Sequence, residues 1–597
     1  EVPLSAWVAA LTLAAVSFSA IGAYDAIWHR IHKTGVSDRR AMLTGASAIA
    51  ISQTTGFGLL VAGAIRWHMF PKLRGRAVAA LSVCVSIGFI ICWVILSLFV
   101  FMALPSEAGP TQGLATLGVA TTIIFCLVIV LSPAVQVRLW RKLPRHMPSL
   151  RASGALLLAG LIDLVAAAAC FAMLVPDLPA SALVTLVPAF ILATGLGLLG
   201  NTPAGIGPFE LTLLAALPHV PASDLAVAFL GYRIVYHLIP AALGLLFLLC
   251  ADGRRGNHQM PRVEPAYDPK KGNFAEAGLV YQGQLSWLPT PRGDIHIASG
   301  ETANTIFTVG MPSQGRIEDV LTILANQAAK SYRGALAYKL DKRAASMARS
   351  RRWHVRKAAQ EAVLDPQTFT LDGRSKSTLR RKLRQAEKAN IEIETRWFQR
   401  PTQAMHEIAR AWACQNGGER GLTTGRFAPE YISQQLTIVA HTAQTQTAFI
   451  TLHLSKNEWT LDLMRSSPDA PAGTLYALVV AALQTAREHG ISRLSLAAVP
   501  AQKEAENLFE RMSHKRMERI GCAGLRQFKS TFDPKWETLY AAGSHPAALL
   551  IGGWEMSQLA QNPPPLAGRS RSIAVAMILR RGLAFEGDQS EGFVAKS

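Results

Sequence analysis

Apolar runs long enough to cross a membrane recur through the first 250 residues of this 597-residue chain. About 20 consecutive apolar residues in a helix span the hydrocarbon core of a bilayer. The apolar segments are roughly 4–24, 42–65, 77–104, 114–135, 152–175, 181–200 and 223–250. The stretch 251–597 has instead the charged composition of a soluble protein. The sequence therefore predicts an α-helical polytopic membrane domain over 1–250, followed by a soluble region.

Lys and Arg are confined to alternate connections between these apolar segments. They occur in 25–41, 66–76 and 136–151 and soon after 250, whereas 105–113, 176–180 and 201–222 contain none. By the positive-inside rule, the connections rich in Lys and Arg lie in the cytoplasm and the others lie outside. Segment 42–65 then starts and ends inside, and 181–222 starts and ends outside. We therefore expect both to be re-entrant, entering the membrane and returning on the same side.

Glycine-rich interruptions fall inside both re-entrant segments, at 53–58 and at 201–210. Two broken helices that enter from opposite faces predict an inverted repeat around a site near the membrane midplane. The ionisable residues of this region are Asp25, Arg66, Asp163, Glu210, Arg233 and His237. A charge at the bilayer centre costs at least ~2.5 kcal/mol, so each is a functional candidate. Transport of a small solute or of a cationic amphiphile would suit them, and the candidates for translocation are Asp25, Arg66, Asp163, Glu210 and Arg233. Structural ion pairs that hold the helices together are the alternative.

Basic residues outnumber acidic ones, 60 to 40, which gives a formal net charge of +20. This excess favours a polyanionic partner, either nucleic acid or an anionic lipid surface. Two basic helices are predicted in the soluble region, over 342–357 and 371–384. The candidates for contact with the anion are Arg351, Arg352, Arg356, Arg380, Arg381 and Lys382. An ordinary solvated face is the alternative, but few acidic residues compensate this charge.

Cysteine and histidine spacing gives no sign of a bound metal. None of the seven cysteines forms a CxxC pair, and no histidines are spaced as metal ligands. We predict no metal and no cofactor. No glycine-rich phosphate-binding loop precedes a helix of the soluble region, which argues against acyl-coenzyme A as a donor.

The soluble region alternates strand-like and helix-like segments between a predicted linker, 251–272, and a C-terminal tail, 561–597. This order suits a tandem acyltransferase-like (GNAT-like) α/β domain, with a first lobe over 273–365 and a second, catalytic lobe over 366–560. The predicted strands are 279–281, 306–309, 335–339, 391–397, 447–453, 459–465, 494–498 and 525–530. The predicted helices are 316–331, 401–415, 473–489 and 502–512.

Asp462 and Arg465 lie on the second strand of a predicted hairpin formed by 447–453 and 459–465. Residues three apart on a regular strand point to opposite faces. If the two side chains share one pocket, the strand must end or bulge near Met464. An ion pair on an edge strand is the alternative, and such surface pairs are common and weak.

Several motifs, taken jointly, resemble the bacterial multiple peptide resistance factor family, the phosphatidylglycerol lysyltransferases that also flip their product lipid. In the membrane half they are Tyr24-Asp25, Gly56-Phe57-Gly58 through Ala64-Ile65-Arg66, Pro203 through Glu210, and Tyr232-Arg233 through Pro240. In the soluble half they are Leu379-Arg380, Glu419-Arg420-Gly421 through Gly425, Asp462-Leu463-Met464-Arg465, and Phe528-Lys529 through Tyr540. The family pattern also has a helix before the position of Glu1 and further helices between the two domains.

The resemblance implies transfer of an aminoacyl group from aminoacyl-tRNA to the glycerol headgroup of phosphatidylglycerol. Lysyl is the family default, and alanyl and arginyl are alternatives. Asp462 would bind the amino group, and Arg465 would hold a phosphate or the developing negative charge. Glu419 and Lys529 complete the implied catalytic set, with a structural ion pair as the alternative for Lys529.

The resemblance also implies the place of the protein in the cell. It would be a multi-pass protein of the bacterial inner membrane with a cytoplasmic soluble domain, and flipping of the product lipid would give resistance to cationic antimicrobial peptides. A homo-oligomer is left open. Two other hypotheses remain: a membrane-anchored N-acyltransferase that uses another donor, and a lipid transporter without enzymatic activity.

Overall fold

The computed structural model describes residues 2–55, 58–70, 73, 75–103, 148–178, 180–200, 205–218, 220–251, 268–290, 293–443, 445–500 and 522–563. The chain divides into two compact units. One consists of residues 1–265 with the short stretches 301–306 and 323–335, and the other of 266–300, 307–322 and 336–597.

The first unit is built from apolar helices. They are Leu4–Ile31 (α1), Asp38–Thr55 (α2), Gly58–Met69 (α3), Gly75–Ala103 (α4), Leu150–Met173 (α5), Ala180–Gly200 (α6), Pro208–Ala216 (α7), Ala222–Tyr232 (α8) and Ile239–Ala251 (α9), with a π-helical turn at Arg233–Leu238 between α8 and α9. Among the described residues, four stretches are long and apolar enough to cross a membrane: Leu4–Ile31, Gly75–Phe99, Leu150–Met173 and Ala222–Cys250. The predicted segment 114–135 lies outside the described residues.

Both predicted glycine-rich interruptions separate two helices. The first lies between α2 and α3 and the second between α6 and α7. Ahead of α7, Gly205 and Gly207 have φ values of 69° and 98°, which glycine adopts with little strain. The Glu210 carboxylate accepts a hydrogen bond from Gly207 N at 2.7 Å, so this acid caps the helix that it belongs to. Residues 56–57 and 201–204 of these motifs lie outside the described part of the chain.

The second unit is organised by one large sheet. The described strands are Ser286–Trp287 (β1), His296–Glu301 (β2), Thr305–Gln314 (β3), Gly334–Leu340 (β4), His354–Leu364 (β5), Glu392–Trp397 (β6), Leu436–Thr442 (β7), Thr445–Leu454 (β8), Glu458–Ser466 (β9), Arg493–Pro500 (β10) and Lys535–Gly543 (β11). They form an 11-stranded sheet in the order β1-β2-β3-β4-β11-β5-β10-β9-β8-β7-β6. Strand β10 runs parallel to β9 and antiparallel to β5.

Helices and short 3-10 segments connect these strands. They are 3-10 segments at Pro269–Lys271 and Ala275–Gln282, and helices at Ile317–Lys330 (α10), Lys342–Ser350 (α11), Ser377–Lys388 (α12), Gln403–Gln415 (α13), Pro429–Ile432 (α14), Thr474–Glu488 (α15), Cys522–Ser530 (α16) and Pro546–Gln561 (α17). The main core of this unit contains α15 residues Leu478 and Val479 together with Trp459 and Leu461 of β9. The opposite face of β9 also contributes Leu463 to a second, smaller hydrophobic cluster.

The predicted lobes 273–365 and 366–560 share this sheet. Strand β11, near the end of the described chain, pairs with both β4 and β5. The lobe boundary and the tail 561–597 stay predictions, as does the linker 251–272, most of which lies outside the described residues.

Several predicted elements are wrong. The predicted strand 279–281 belongs to the 3-10 segment that ends at Gly283, which has φ 84°. The predicted strand 525–530 is helix α16, on which the Phe528 ring contacts the Tyr476 ring. The predicted basic helix 342–357 is α11 followed by the start of β5. The predicted helix 502–512 lies outside the described residues.

The remaining secondary-structure predictions are largely confirmed. Strands at 306–309, 335–339, 391–397, 447–453, 459–465 and 494–498 and helices at 316–331, 401–415 and 473–489 all correspond to elements of the structure. The predicted basic helix 371–384 corresponds to α12, which begins only at Ser377. Strands β1, β2, β5, β7 and β11 and helices α14 and α17 were not predicted.

Candidate functional site

A β-bulge brings Asp462 and Arg465 to the same face of β9. Ile450 pairs with Met464 and Leu452 with Leu461, so one residue of β8 stands opposite two residues of β9. The extra backbone N–H, of Leu463, donates to Thr451 Oγ1 at 3.1 Å. Leu461 and Met464 therefore both pack on the main core, while Leu463 joins the opposite face. The predicted bulge is present, centred on Asp462 and Leu463.

Asp462 is held through one of its two carboxylate oxygens. Oδ2 accepts hydrogen bonds from the Tyr431 hydroxyl and from Gln435 Nε2, each at 2.7 Å. His453 Nε2 lies 3.5 Å from the same oxygen. Oδ1 makes no hydrogen bond with the described residues. It lies so close to Gly425 that the Cβ atom of any other residue at this position would overlap the carboxylate. The side chain is 5% exposed, so only a small group can reach it.

The loop from Glu419 to Phe427 covers this carboxylate. Gln282 Nε2 donates to Thr424 O at 2.8 Å, and Leu422 N donates to Gln282 Oε1 at 2.9 Å. Leu422 has φ 64°, a strained value for a residue with a side chain. The two amide hydrogen bonds of Gln282 therefore fix the loop against the sheet.

Arg465 lies between an acid and an aromatic ring. One guanidinium nitrogen is 3.4 Å from Glu419 Oε2, and the guanidinium carbon is 3.4 Å from the centroid of the Trp412 ring. Burial lowers the pKa of Arg465, and the Glu419 charge opposes that shift. Arg465 Nε is buried and makes no hydrogen bond with the described residues. A buried donor of this kind can donate a hydrogen bond to an oxygen atom of a ligand.

Lys529 lies beside the place where β9 and β10 separate. The parallel pairing joins Arg493, Leu494 and Ser495 to Glu458, Trp459 and Thr460. Beyond these three residue pairs, β9 remains paired with β8 and β10 remains paired with β5. The buried Lys529 ammonium donates to Ala497 O at 2.9 Å, on the diverging part of β10. Its catalytic role stays a prediction.

A partly buried ionic cluster lies where β5, β9, β10 and β11 meet. The Arg493 guanidinium contacts the carboxylates of Glu361 (2.8 Å), Glu458 (3.0 Å) and Glu537 (2.9 Å). Ser495 donates to Glu361 at 2.6 Å. Burial, with the nearby Glu361 charge, raises the pKa of Glu458 to about 7. Burial also raises the pKa of Glu361. This cluster joins the central strands of the sheet.

Sequence reasoning missed four side chains around Asp462 and Arg465: Trp412, Tyr431, Gln435 and His453. A signal for His453 was available. On β8, Ile450 and Leu452 pack on the main core, and alternation places Thr451 and His453 on the other face. A buried polar pair opposite Asp462 could therefore have been predicted. Tyr431 and Gln435 lie outside the predicted hairpin and give no comparable pattern.

The basic candidates are spread over the turn that follows α11, strand β5 and helix α12. Arg351, Arg352, Arg356 and Arg381 are exposed, while Arg380 and Lys382 are half-buried. Arg380 donates to Gly373 O at 2.8 Å, and Arg351 donates to Thr322 Oγ1 at 2.9 Å. These two arginines thus also hold their own surroundings together.

The five predicted translocation residues line one cavity of about 460 Å³ in the first unit: Asp25, Arg66, Asp163, Glu210 and Arg233. Arg66 forms two contacts of 3.2 Å with Asp25, and both side chains are 1% exposed. Arg233, on the π-helical turn, pairs with Glu210. Asp163 accepts hydrogen bonds from Ser17 and Tyr236. The cavity therefore holds two acid–base pairs and a third carboxyl.

The soluble part of the chain matches a known family. Residues 266–543 match the family model described as phosphatidylglycerol lysyltransferase, C-terminal. This region is therefore similar to the C-terminal region of the phosphatidylglycerol lysyltransferases. The resemblance inferred from the sequence motifs is thereby confirmed. Asp462, Arg465, Glu419 and Lys529 all lie within the lysyltransferase family region.

The chain is also similar to individual proteins. The chain is 24% identical over 335 residues to a phosphatidylglycerol lysyltransferase of Bacillus subtilis (strain 168), a match that covers 53% of this chain and 37% of that protein. A crystal structure of the C-terminal domain of a putative lysylphosphatidylglycerol synthetase from Agrobacterium fabrum is 25% identical, with a TM-score of 0.43, over 48% of this chain and 93% of that one. The structure of L-PGS from Bacillus licheniformis is 20% identical, with a TM-score of 0.43. That match covers 48% of this chain and 92% of the other.

Proposed function

We propose that the chain is an aminoacyltransferase that esterifies phosphatidylglycerol with an aminoacyl group, with lysyl as the first candidate, taken from aminoacyl-tRNA. The observation that carries this proposal is the buried Asp462 and Arg465 pair at the β9 bulge, inside the lysyltransferase family region. The soluble domain would then face the cytoplasm, where charged tRNA is found.

The two side chains have complementary roles in this reaction. Asp462 Oδ1 binds the ammonium group of the aminoacyl donor, because a charge-assisted contact is favoured at a site that excludes most water. Arg465 Nε donates to the ester carbonyl oxygen and stabilises the negative charge that develops on it. A glycerol hydroxyl of the lipid attacks the carbonyl carbon, and the ribose oxygen of the tRNA leaves with the proton. The ester is already activated, so positioning supplies most of the catalysis.

The basic side chains support both polyanionic substrates. Arg352, Arg356 and Arg381 present positive charge to solvent on three different elements of the domain. Each contact of Lys or Arg with a phosphate releases counterions, so binding of the donor is expected to weaken as salt rises.

Purified full-length protein tests the proposal. We expect it to transfer radiolabelled lysine from lysyl-tRNA into phosphatidylglycerol vesicles, and pretreatment of the donor with ribonuclease is expected to abolish the transfer. Vesicles of phosphatidylcholine serve as the control acceptor. Incorporation of lysine that survives ribonuclease would instead support a different donor. If no donor gives incorporation, the hypothesis of a lipid transporter without enzymatic activity would be favoured.

We also propose that the membrane domain translocates the product lipid, which would contribute resistance to cationic antimicrobial peptides. The cavity supports this proposal, because its carboxylates and guanidiniums suit a headgroup that carries both phosphate and ammonium charges. A headgroup can exchange with the pairs Asp25–Arg66 and Glu210–Arg233, so that the buried charges are compensated throughout.

Glu210→Gln tests the translocation. The change removes the partner of Arg233 and is expected to lower the outer-leaflet fraction of the aminoacylated lipid at least about threefold, while the total amount is unchanged. The measurement is labelling of the outer-leaflet amino groups in intact cells, compared with total lipid extracts. Asp177→Asn, at an exposed acid, is the matched control. An unchanged leaflet ratio in Glu210→Gln cells would contradict the proposal.

A further inference from the structure

Two buried side chains hold Asp462 from the same side. Tyr431 is 1% exposed and Gln435 is fully buried, and both donate to Asp462 Oδ2. Neither belongs to the hairpin that carries the aspartate. Tyr431 lies on the short helix α14, and Gln435 directly precedes β7. Their shared target is one oxygen of the carboxylate, and the other oxygen is left without a hydrogen bond from the described residues.

Packing determines where the Tyr431 hydroxyl lies. The ring belongs to a hydrophobic cluster with Met405, Ile408 and Phe449, drawn from α13 and β8. A ring held on several sides cannot follow a side chain that moves, so the hydroxyl acts as a fixed donor. Burial and the Asp462 charge raise the pKa of Tyr431 well above its usual value, so that the hydroxyl keeps its proton.

His453 is the third side chain beside Asp462 Oδ2, and it does not neutralise the charge of the carboxylate. Its Nε2 lies 2.8 Å from the Tyr431 hydroxyl, and the side chain is 4% exposed. Burial lowers the pKa of His453, with the Asp462 charge opposing the shift, so the imidazole is neutral at neutral pH. A neutral imidazole carries a proton on only one of its two ring nitrogens, so it does not neutralise Asp462. The negative charge of Asp462 therefore remains available to a cationic ligand.

The side-chain amide of Gln435 has an orientation that stability alone does not explain. Its amide nitrogen faces Asp462 and His453 Nε2, at 2.7 and 3.2 Å. Its amide oxygen is buried and has no hydrogen-bond partner among the described residues. An unsatisfied buried acceptor is costly for folding, which points to a functional reason for this orientation of the amide.

We propose that Tyr431 and Gln435 are positioning residues: they hold Asp462 by Oδ2 and so direct Oδ1 at the α-ammonium group of the aminoacyl donor. This inference rests on the proposed function, in which Asp462 binds that ammonium group. Neither side chain touches the substrate, and both act through the aspartate. Their effect should therefore depend on the charge of the donor's amino group.

Tyr431→Phe in the full-length protein tests the inference with two donors, lysyl-tRNA and the same tRNA acetylated on the α-amino nitrogen. Acetylation removes the charge that Oδ1 would bind. We expect the variant to lose about 10- to 100-fold in kcat/KM with the free-amine donor, mostly through KM, as for a hydrogen bond to a charged group. With the acetylated donor, kcat/KM should change less than about twofold, so the discrimination between the donors collapses.

A purely structural role gives a different result. If kcat/KM falls equally with both donors, or if kcat alone falls, the inference is overturned. Gln435→Met should repeat the loss of discrimination, which keeps the test valid should one variant fold poorly. Tyr281→Phe is the matched control, since the Tyr281 hydroxyl contacts Asp268 instead. Wild-type protein that uses neither donor, or does not discriminate between them, would refute the proposed role of Asp462 itself.

Discussion

We expect Asp462→Asn to lower kcat/KM for the proposed aminoacyl transfer by about 100-fold or more. The substitution keeps the shape of the side chain and its contacts with Tyr431 and Gln435, but it removes the charge that, under the proposed function, binds the ammonium group of the donor. Loss of a charge-assisted contact at a buried site costs several kcal/mol, and each 1.4 kcal/mol is a factor of ten in rate. The measurement is transfer of radiolabelled aminoacyl group into lipid by the purified full-length variant.

Asp469→Asn is the matched control for this variant. Asp469 follows the same strand but is exposed, so its substitution should leave transfer within about twofold of the wild type. Thermal unfolding of both variants should match that of the wild type within a few degrees. Activity of Asp462→Asn above about one tenth of the wild-type value would contradict the binding role of this carboxylate.

We expect Arg493→Met to lower the free energy of unfolding of the second unit by about 3–5 kcal/mol. The arginine is the cation shared by Glu361, Glu458 and Glu537, and its removal leaves buried carboxylates without compensation. Urea unfolding of the full-length protein, followed by tryptophan fluorescence, measures the change. Arg384→Met, at an exposed arginine of α12, should change stability by less than about 0.5 kcal/mol.

The loss of stability in Arg493→Met depends on pH in a defined direction. The folded pKa of Glu458, about 7, lies above its ordinary value, and that of Glu361 is also raised. The folded protein thus holds these protons more tightly than the unfolded chain. Their contribution to stability is present below the ordinary pKa and is lost as pH rises towards 7. Without the guanidinium of Arg493, the pKa values of Glu458 and Glu361 rise further. The loss of unfolding free energy in Arg493→Met should therefore be smaller at pH 5 than at pH 8. A deficit that is equal at both pH values would contradict this account.

Local patterns in the sequence were sufficient for much of the architecture. Apolar length marked the membrane helices, and glycine-rich interruptions marked the breaks before α3 and α7, because both signals depend on residues close together in the chain. The hairpin around Asp462 was predicted from strand alternation, and its bulge from the requirement that Asp462 and Arg465 share a face. The motifs indicated a family resemblance, and the match over 266–543 confirms that resemblance.

Tertiary structure alone decided which distant residues meet at the candidate site. Tyr431, Gln435 and Trp412 reach Asp462 and Arg465 from α14, the start of β7 and α13, and no periodicity in the sequence relates those elements to the hairpin. Strand β11 likewise lies between β4 and β5 because its pairing partners are far away in sequence. Short-range patterns are set by local geometry, whereas long-range pairs depend on how whole elements pack, and for that reason only the folded chain reveals them.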